Sequence, residues 1–335
     1  MTYKWLIPTI IAAVIILYFI FYAVYYCVGL KRRSDYLPFL KYYTVDDYPE
    51  LHREDFTFKK TNGDSLYAFI YKNRNFSDFK GVITFLHGIG AGHESYTSLI
   101  RDLANHGYIV FAYDQSSCGL SDGKGVVSMY GVLEDLSYAN RFLVSLKKYD
   151  NYPFFIMGHS LGGFGAICST EIELSRQYDK IVDISGACQP RRALKQTKIP
   201  ETILFPILRL TEFMKYRKYA KIKGDKAFAK STTPTMVIHG SKDTVVPVAV
   251  FKRLENISKN RNNVTMLELE NRRHQPHLTA EAEDIVDRDV LKIILKEIFG
   301  TKKGKIDQMT SKIDFSKTVI INDELLKQIY DFLDD

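Results

Sequence analysis

The stretch "FFIMGHSLGGFGA", residues 154–166, decides the fold. It opens as a short, uniformly apolar run, breaks at Gly158-His159-Ser160-Leu161-Gly162, and continues with residues suited to a buried helix. Uniform rather than alternating hydrophobicity marks a strand covered on both faces. A serine placed where such a strand turns sharply into a helix has its hydroxyl raised above the sheet. Glycines two residues to either side keep a Cβ from striking neighbouring backbone. The competing reading is a glycine-rich tight turn with an idle serine, and the strand–turn–helix context favours the nucleophile.

The same rhythm extends outward in both directions. "GVITFLHG" (81–88), "YIVFAYD" (108–114), "KIVDISG" (180–186), "TMVIHGS" (235–241) and "NVTMLELE" (263–270) are further short apolar runs. Segments with helical spacing lie between or after them, at about 93–106, 130–149, 162–177, 247–258 and 280–298. Alternation of this kind implies a doubly wound α/β sheet. Ahead of it, "DFTFKKTNGDSLYAFIYKN" (55–73) flanks Asn62-Gly63 with two strand-like runs, a hairpin signal. The expectation is a mostly parallel eight-stranded sheet flanked by helices.

Two regions stand outside that rhythm. From Trp5 to Leu30 no residue carries a charge, a length of about 39 Å as a helix against a hydrocarbon core of about 30 Å. The run is too long for a signal peptide and no small-residue cleavage site follows, so residues 1–33 are expected to be a single-pass transmembrane anchor. Lys31, Arg32 and Arg33 outweigh Lys4, which favours a cytoplasmic position for the rest of the chain. Residues 34–54 then form a linker, 55–189 and 234–300 the core, and 301–335 a C-terminal extension with no functional reading. The second region, 190–233, carries twelve Lys/Arg against three acids, a net of +9 in a chain of 335 residues whose total is +7. With the apolar "ETILFPILRLTEFM" at its centre, it is expected to be a small basic helical lid.

Composition excludes several classes. The chain is 46% hydrophobic and 25% charged, and has no internal repeat, as in an ordinary globular protein. Its four cysteines show no CxxC pairing, and there is no HExxH, so neither a disulfide framework nor a metal site is expected. The basic insert has no aromatic or motif support for nucleic acid. Gly88-x-Gly90, with Asp114 ending the next strand, invites a dinucleotide reading, but His93 stands where the third glycine belongs. His87-Gly88 after a strand suits an oxyanion loop instead, with the backbone N–H groups of Ile89 and Leu161 as donors.

An acid and a base remain to be found. Asp243 stands just beyond the strand "TMVIHGS", where a carboxylate can orient an imidazole; Asp183 is the stand-in. "NRRHQPH" (271–277) follows the last strand at the same edge of the sheet and offers His274 and His277. His274 is nearer the strand end, whereas His277 lies beyond Pro276 and is expected to cap or pack. The candidate set is Ser160, Asp243 and His274.

These residues resemble the α/β-hydrolases, in particular the serine aminopeptidase, monoacylglycerol lipase and lysophospholipase-like group. "HGIGAG", "YDQSSCGLSDG", "GHSLGG", "HGSKDTVVP" and "RHQP" carry the likeness, across roughly residues 55–300. Two departures stand out: Ser116-Ser117-Cys118-Gly119 where an Arg-Gly pair is usual, and Arg273 where a glycine usually precedes the histidine. The resemblance implies a serine hydrolase working through an acyl-enzyme without a cofactor. Lid and anchor suggest a lipid-like ester, a lysophospholipid or monoacylglycerol, met at a membrane. An acyltransferase, a peptidase and a non-catalytic membrane-tethered binding protein are the alternatives.

Overall fold

Eight strands form one sheet in the order β1-β2-β4-β3-β5-β6-β7-β8. The computed structural model describes residues 5–25, 35–90, 92–123, 125, 128–186, 209–210, 212–298 and 300–335. β1 (Leu51–Lys59) and β2 (Ser65–Asn73) form the expected hairpin, with Gly63 at φ 91° in its turn. β1 starts inside the stretch expected to be linker. β2 pairs antiparallel with β4 (Tyr108–Tyr113), and every later pairing is parallel, through β3 (Gly81–Leu86), β5 (Phe154–His159), β6 (Lys180–Ile184), β7 (Thr235–Gly240) and β8 (Val264–Leu269). Each apolar run of the sequence is one of these strands.

Helices cover both faces, which is why the central strands carry no polar alternation. α2 (Thr97–Asn105) packs on one face, where Leu99 and Leu103 meet Phe85 and Met157. α3 (Gly131–Ser145) and α4 (Leu161–Cys168) pack on the other, where Leu133, Leu136 and Phe164 meet Ile156. α5 (Gly224–Lys230) and α6 (Ala249–Ser258) add a smaller cluster around Phe228 and Phe251. α4 ends earlier than the helical spacing suggests. Ser169 Oγ donates to Ala166 O at 2.7 Å and the chain tightens into a 3₁₀ turn over Ser169–Glu171. Cys118 and Cys168 are buried thiols.

The segment 280–298 is helical but interrupted: α7 (Ala280–Ile285) and α8 (Leu291–Ile298) flank a π-helical turn, Val286–Val290. The C-terminal extension folds onto the core. After α9 (Lys303–Thr310), α10 (Asp323–Asp334) sinks Leu325, Leu326, Ile329 and Leu333 into the face that α2 covers.

The two regions outside the α/β rhythm fare differently from expectation. Leu6–Tyr25 forms an uncharged helix, α1, whose described side chains, Leu6–Ile20, lie almost wholly open. Among the described residues no helix is long and apolar enough to cross a membrane, so the expected transmembrane anchor is not supported. Most of "ETILFPILRLTEFM" lies outside the described residues, and with it the body of the expected lid. Its described remainder is helical at 209–210 and 212–216, with Tyr216 and Tyr219 buried and the Tyr219 hydroxyl 2.9 Å from Ser137 Oγ.

Candidate active site

β5 delivers Ser160 to the C-terminal edge of the sheet in a left-handed conformation, φ 56° and ψ −112°. A non-glycine residue there costs on the order of 1–3 kcal/mol, so the surroundings must enforce it. They do so by closeness. A Cβ on Gly158 would strike the backbone of Gly162, one on Gly162 the carbonyl of Leu86, and one on Gly163 the Asp183 carboxylate. Ser160 N–H donates to Ile184 O at 2.9 Å, tying the turn to β6.

Asp243 and His274 arrive from β7 and β8. Asp243 is buried, and its Oδ1 accepts the backbone N–H groups of Val245 and Val246, each at 2.8 Å. Its Oδ2 lies 2.8 Å from His274 Nδ1. A carboxylate only accepts, so Nδ1 carries the proton and Nε2 is left as an acceptor. Ser160 Oγ lies 3.0 Å from that Nε2 and donates to it. Three side chains from three loops thus form one directed hydrogen-bond chain. His239 sits 3.5 Å from the same Asp243 oxygen and donates to Val246 O at 2.9 Å. Burial lowers its pKa, so it adds no charge beside Asp243.

Ile89 stands in the bend after β3, its side chain 71% exposed, and Leu161 opens α4, where the first N–H groups have no intrahelical partner. β3 and β5 are parallel neighbours, so the two positions share one sheet edge.

The other candidates are placed elsewhere. His277 is buried, stacks on the ring of Tyr96, meets that of His159 edge-on, and is depressed by burial to about 3. It packs as a neutral imidazole. Asp183, the stand-in acid, lies within β6 beneath the serine turn. Neither of its oxygens meets a donor in hydrogen-bond geometry, and burial pushes its pKa up to about 7, offset in part by the nearby Gly186 N–H. Asp114 accepts from His93 N, His93 Nδ1 and Leu120 N, at 2.9, 2.8 and 3.0 Å, and is wholly buried, out of reach of a ribose. Among the described residues no His/Cys/Asp/Glu group fits a metal ion.

A family model described as serine aminopeptidase, S33, matches residues 77–223, a range that holds Ile89, Ser160 and Leu161 and stops before Asp243. Monoglyceride lipase of Saccharomyces cerevisiae is 26% identical over 227 residues, 64% of this chain and 70% of the lipase. Proline iminopeptidase of Saccharolobus solfataricus is 31% identical over 113 residues, 33% of this chain and 34% of the peptidase. The crystal structure of a Pyrococcus furiosus esterase superposes with a TM-score of 0.55 at 18% identity, covering 80% of this chain and 98% of the esterase. The chain has the α/β-hydrolase fold. Its likeness to the serine aminopeptidases and monoglyceride lipases supports a serine ester hydrolase.

Two further features of this hydrolase escape motif reading. His159 Nε2 lies 2.8 Å from His274 O and must donate to it; its Nδ1 therefore accepts from Tyr96 OH at 2.8 Å. Tyr96 OH in turn accepts Gly88 N–H at 3.1 Å, so one partly buried chain links Gly88 after β3, His159 at the end of β5 and His274 after β8. The Ser116-Ser117 departure also acquires a reason. Ser116 donates through N and Oγ to Asp135, at 2.7 and 2.8 Å, and Lys60 Nζ reaches the same carboxylate at 2.7 Å. A buried lysine and a buried aspartate hold the loop after β4 through Ser116 here.

Proposed function

We propose that this hydrolase cleaves a lipid-like carboxylic ester, a lysophospholipid or monoacylglycerol, with Ser160 as nucleophile, His274 as base and Asp243 as the group that orients it. The observation carrying this reading is the imidazole of His274 bonded on one side to Ser160 Oγ and on the other to Asp243 Oδ2. Ser160 Oγ attacks the acyl carbon as its proton passes to His274 Nε2. The imidazolium formed is stabilised by Asp243, and the oxyanion by the N–H groups of Ile89 and Leu161, each donor worth about 3–4 kcal/mol of barrier. His274 then returns the proton to the departing alkoxide. Water, deprotonated by the same nitrogen, attacks the acyl-enzyme, releasing the acid and restoring Ser160.

Exposed apolar side chains favour a lipid substrate: Ile89, Leu120 and Val245 stand on the loops after β3, β4 and β7, at the edge where Ser160 lies. Phe213 and Met214, in the described end of the basic insert, are also exposed. We read that insert as the lid, and the open apolar helix α1 as the means of attachment to a membrane, with the hydrolase domain on its cytoplasmic side. Lysines of the insert near an anionic leaflet would each contribute about 1 kcal/mol of attraction.

Fluorophosphonate labelling of the wild type beside Ser160→Ala, His274→Ala and His277→Ala tests the assignment. Labelling is expected to vanish in the first two variants and survive in the third. A panel of monoacylglycerol, lysophosphatidylcholine, a short p-nitrophenyl ester and an aminoacyl anilide tests the substrate; turnover of the anilide alone would point to a peptidase. Flotation with anionic vesicles, with and without residues 1–33, tests attachment.

A further inference from the structure

The imidazole of His274 has to meet groups on two other loops, yet its own loop follows β8, an edge strand with a neighbour on one side only. Something outside the sheet must hold it. Glu283, in the first turn of α7, faces the loop with its side chain 2% exposed. Its Oε1 accepts the backbone N–H of Arg273 at 3.1 Å and of Gln275 at 2.8 Å. Its Oε2 accepts Arg273 N–H at 3.1 Å and Arg272 Nε at 3.1 Å. The two backbone donors are those immediately before and after His274. We propose that Glu283 is a positioning residue for His274, a buried carboxylate that grips the main chain on both sides of the base.

The proposal rests on reading His274 as the base. Glu283 is itself fixed: its N–H donates to Thr279 O at 3.0 Å, and Thr279 Oγ1 caps α7 by accepting Ala282 N–H at 3.3 Å. Its oxygens are occupied by loop donors, so it acts on the loop and not on substrate. Arg273 extends the grip outward, with ion pairs to Asp284 and, at 2.7 Å, to Asp287 in the π-helical turn. A glycine before the histidine would offer none of this. Without the carboxylate, two backbone N–H groups lose their acceptor and the loop is released; a shift of about 1 Å at a reacting group costs on the order of 10²-fold in rate.

The test compares kcat and KM for p-nitrophenyl butyrate. Glu283→Met fills a similar volume without an acceptor and is expected to lower kcat about 100-fold with KM within about twofold. Glu283→Gln keeps one oxygen for the two backbone donors and should recover kcat to within about tenfold of wild type. Arg272→Met removes the ion pair and spares both backbone bonds; it should lose stability with kcat within about threefold. If Glu283→Met does not fold, Glu283→Asp, which withdraws the carboxylate by about 1.5 Å, carries the test with the same expected signature. Equal kcat loss in Arg272→Met and Glu283→Met, or KM rising in step with the loss, overturns the proposal. The downfield proton of His274 Nδ1 hydrogen-bonded to Asp243, followed by NMR, separates this proposal from the ester reading. If wild type shows that proton but hydrolyses no ester, and Glu283→Met loses it, the ester reading fails and the positioning role stands. If Glu283→Met keeps the proton unchanged, the positioning role fails.

Discussion

Ser160 and His274 meet at 3.0 Å, but the loops that bring them there are built on opposite principles. The serine turn is held by closeness: Gly158, Gly162 and Gly163 leave no room for a Cβ, and the strained φ of Ser160 follows from that packing. The histidine loop is held by polar ties. Glu283 takes the backbone on both sides of His274, and Asn322 N–H donates to His277 O at 2.9 Å. Asn322 Nδ2 reaches Pro276 O at 3.4 Å, and Leu278 bridges to Ile321. Steric closeness tolerates no added atom, whereas polar ties tolerate no lost one.

Removing the Ser160 hydroxyl from the tight side is expected to give the largest effect. Ser160→Ala should lower ester turnover by about 10⁴-fold or more while leaving the melting temperature within a few degrees of wild type. A collapse in thermal stability would break the contrast, because it would mean that the bond to His274, and not the glycine packing, holds the turn. Adding an atom on the same side is next. Gly162→Ala drives a Cβ into the Leu86 carbonyl and should destabilise by about 4 kcal/mol or more, read by urea unfolding.

Asp183 sharpens the comparison through pH. Its folded pKa of about 7 lies above the unfolded value near 3.9, so the native chain keeps a proton that the unfolded chain releases. Its contribution to stability is therefore full below about pH 4 and is lost as the pH rises toward 7, by up to about 4 kcal/mol. Asp183→Asn should flatten that loss, measured as the difference in urea unfolding free energy between pH 4.5 and 8. An unchanged difference would show that Asp183 is ionised beneath the turn. The smallest effect belongs to the polar side. Asn322 Oδ1 caps α10 by accepting Leu325 N–H at 3.3 Å, so Asn322→Ala should cost about 1–2 kcal/mol and lower kcat a few-fold. A loss of stability with kcat untouched would confine Asn322 to capping its helix.

The same contrast explains what the sequence discloses. Closeness requires particular residues at fixed short spacing, so the glycines around Ser160 announce both strand and turn, and Asn62-Gly63 announces the hairpin. Uniform apolar runs give away the strands because both sheet faces are covered. Polar ties between distant segments leave no such trace: nothing local to Glu283, Asn322 or Tyr96 says that each reaches the loop of another strand. His274 could be preferred over His277 from its distance to the strand end, while the packing of His277 against Tyr96 and His159 needed the fold. The end of α4 at Cys168 was hidden for a related reason, since a serine hydroxyl bonding back to the helix competes with a spacing that still reads as helical.

That short helix carries one more consequence. α4 begins beside Ser160 and ends at Cys168, which is wholly buried and whose thiol burial holds well above its ordinary pKa. A reagent in solution reaches that thiol only when the packing around α4 opens. With Cys27, Cys118 and Cys188 replaced by serine, the rate at which a thiol reagent modifies Cys168 becomes a clock for the opening of the segment that aims Ser160. A substrate analogue bound at Ser160 would slow that clock without touching the cysteine.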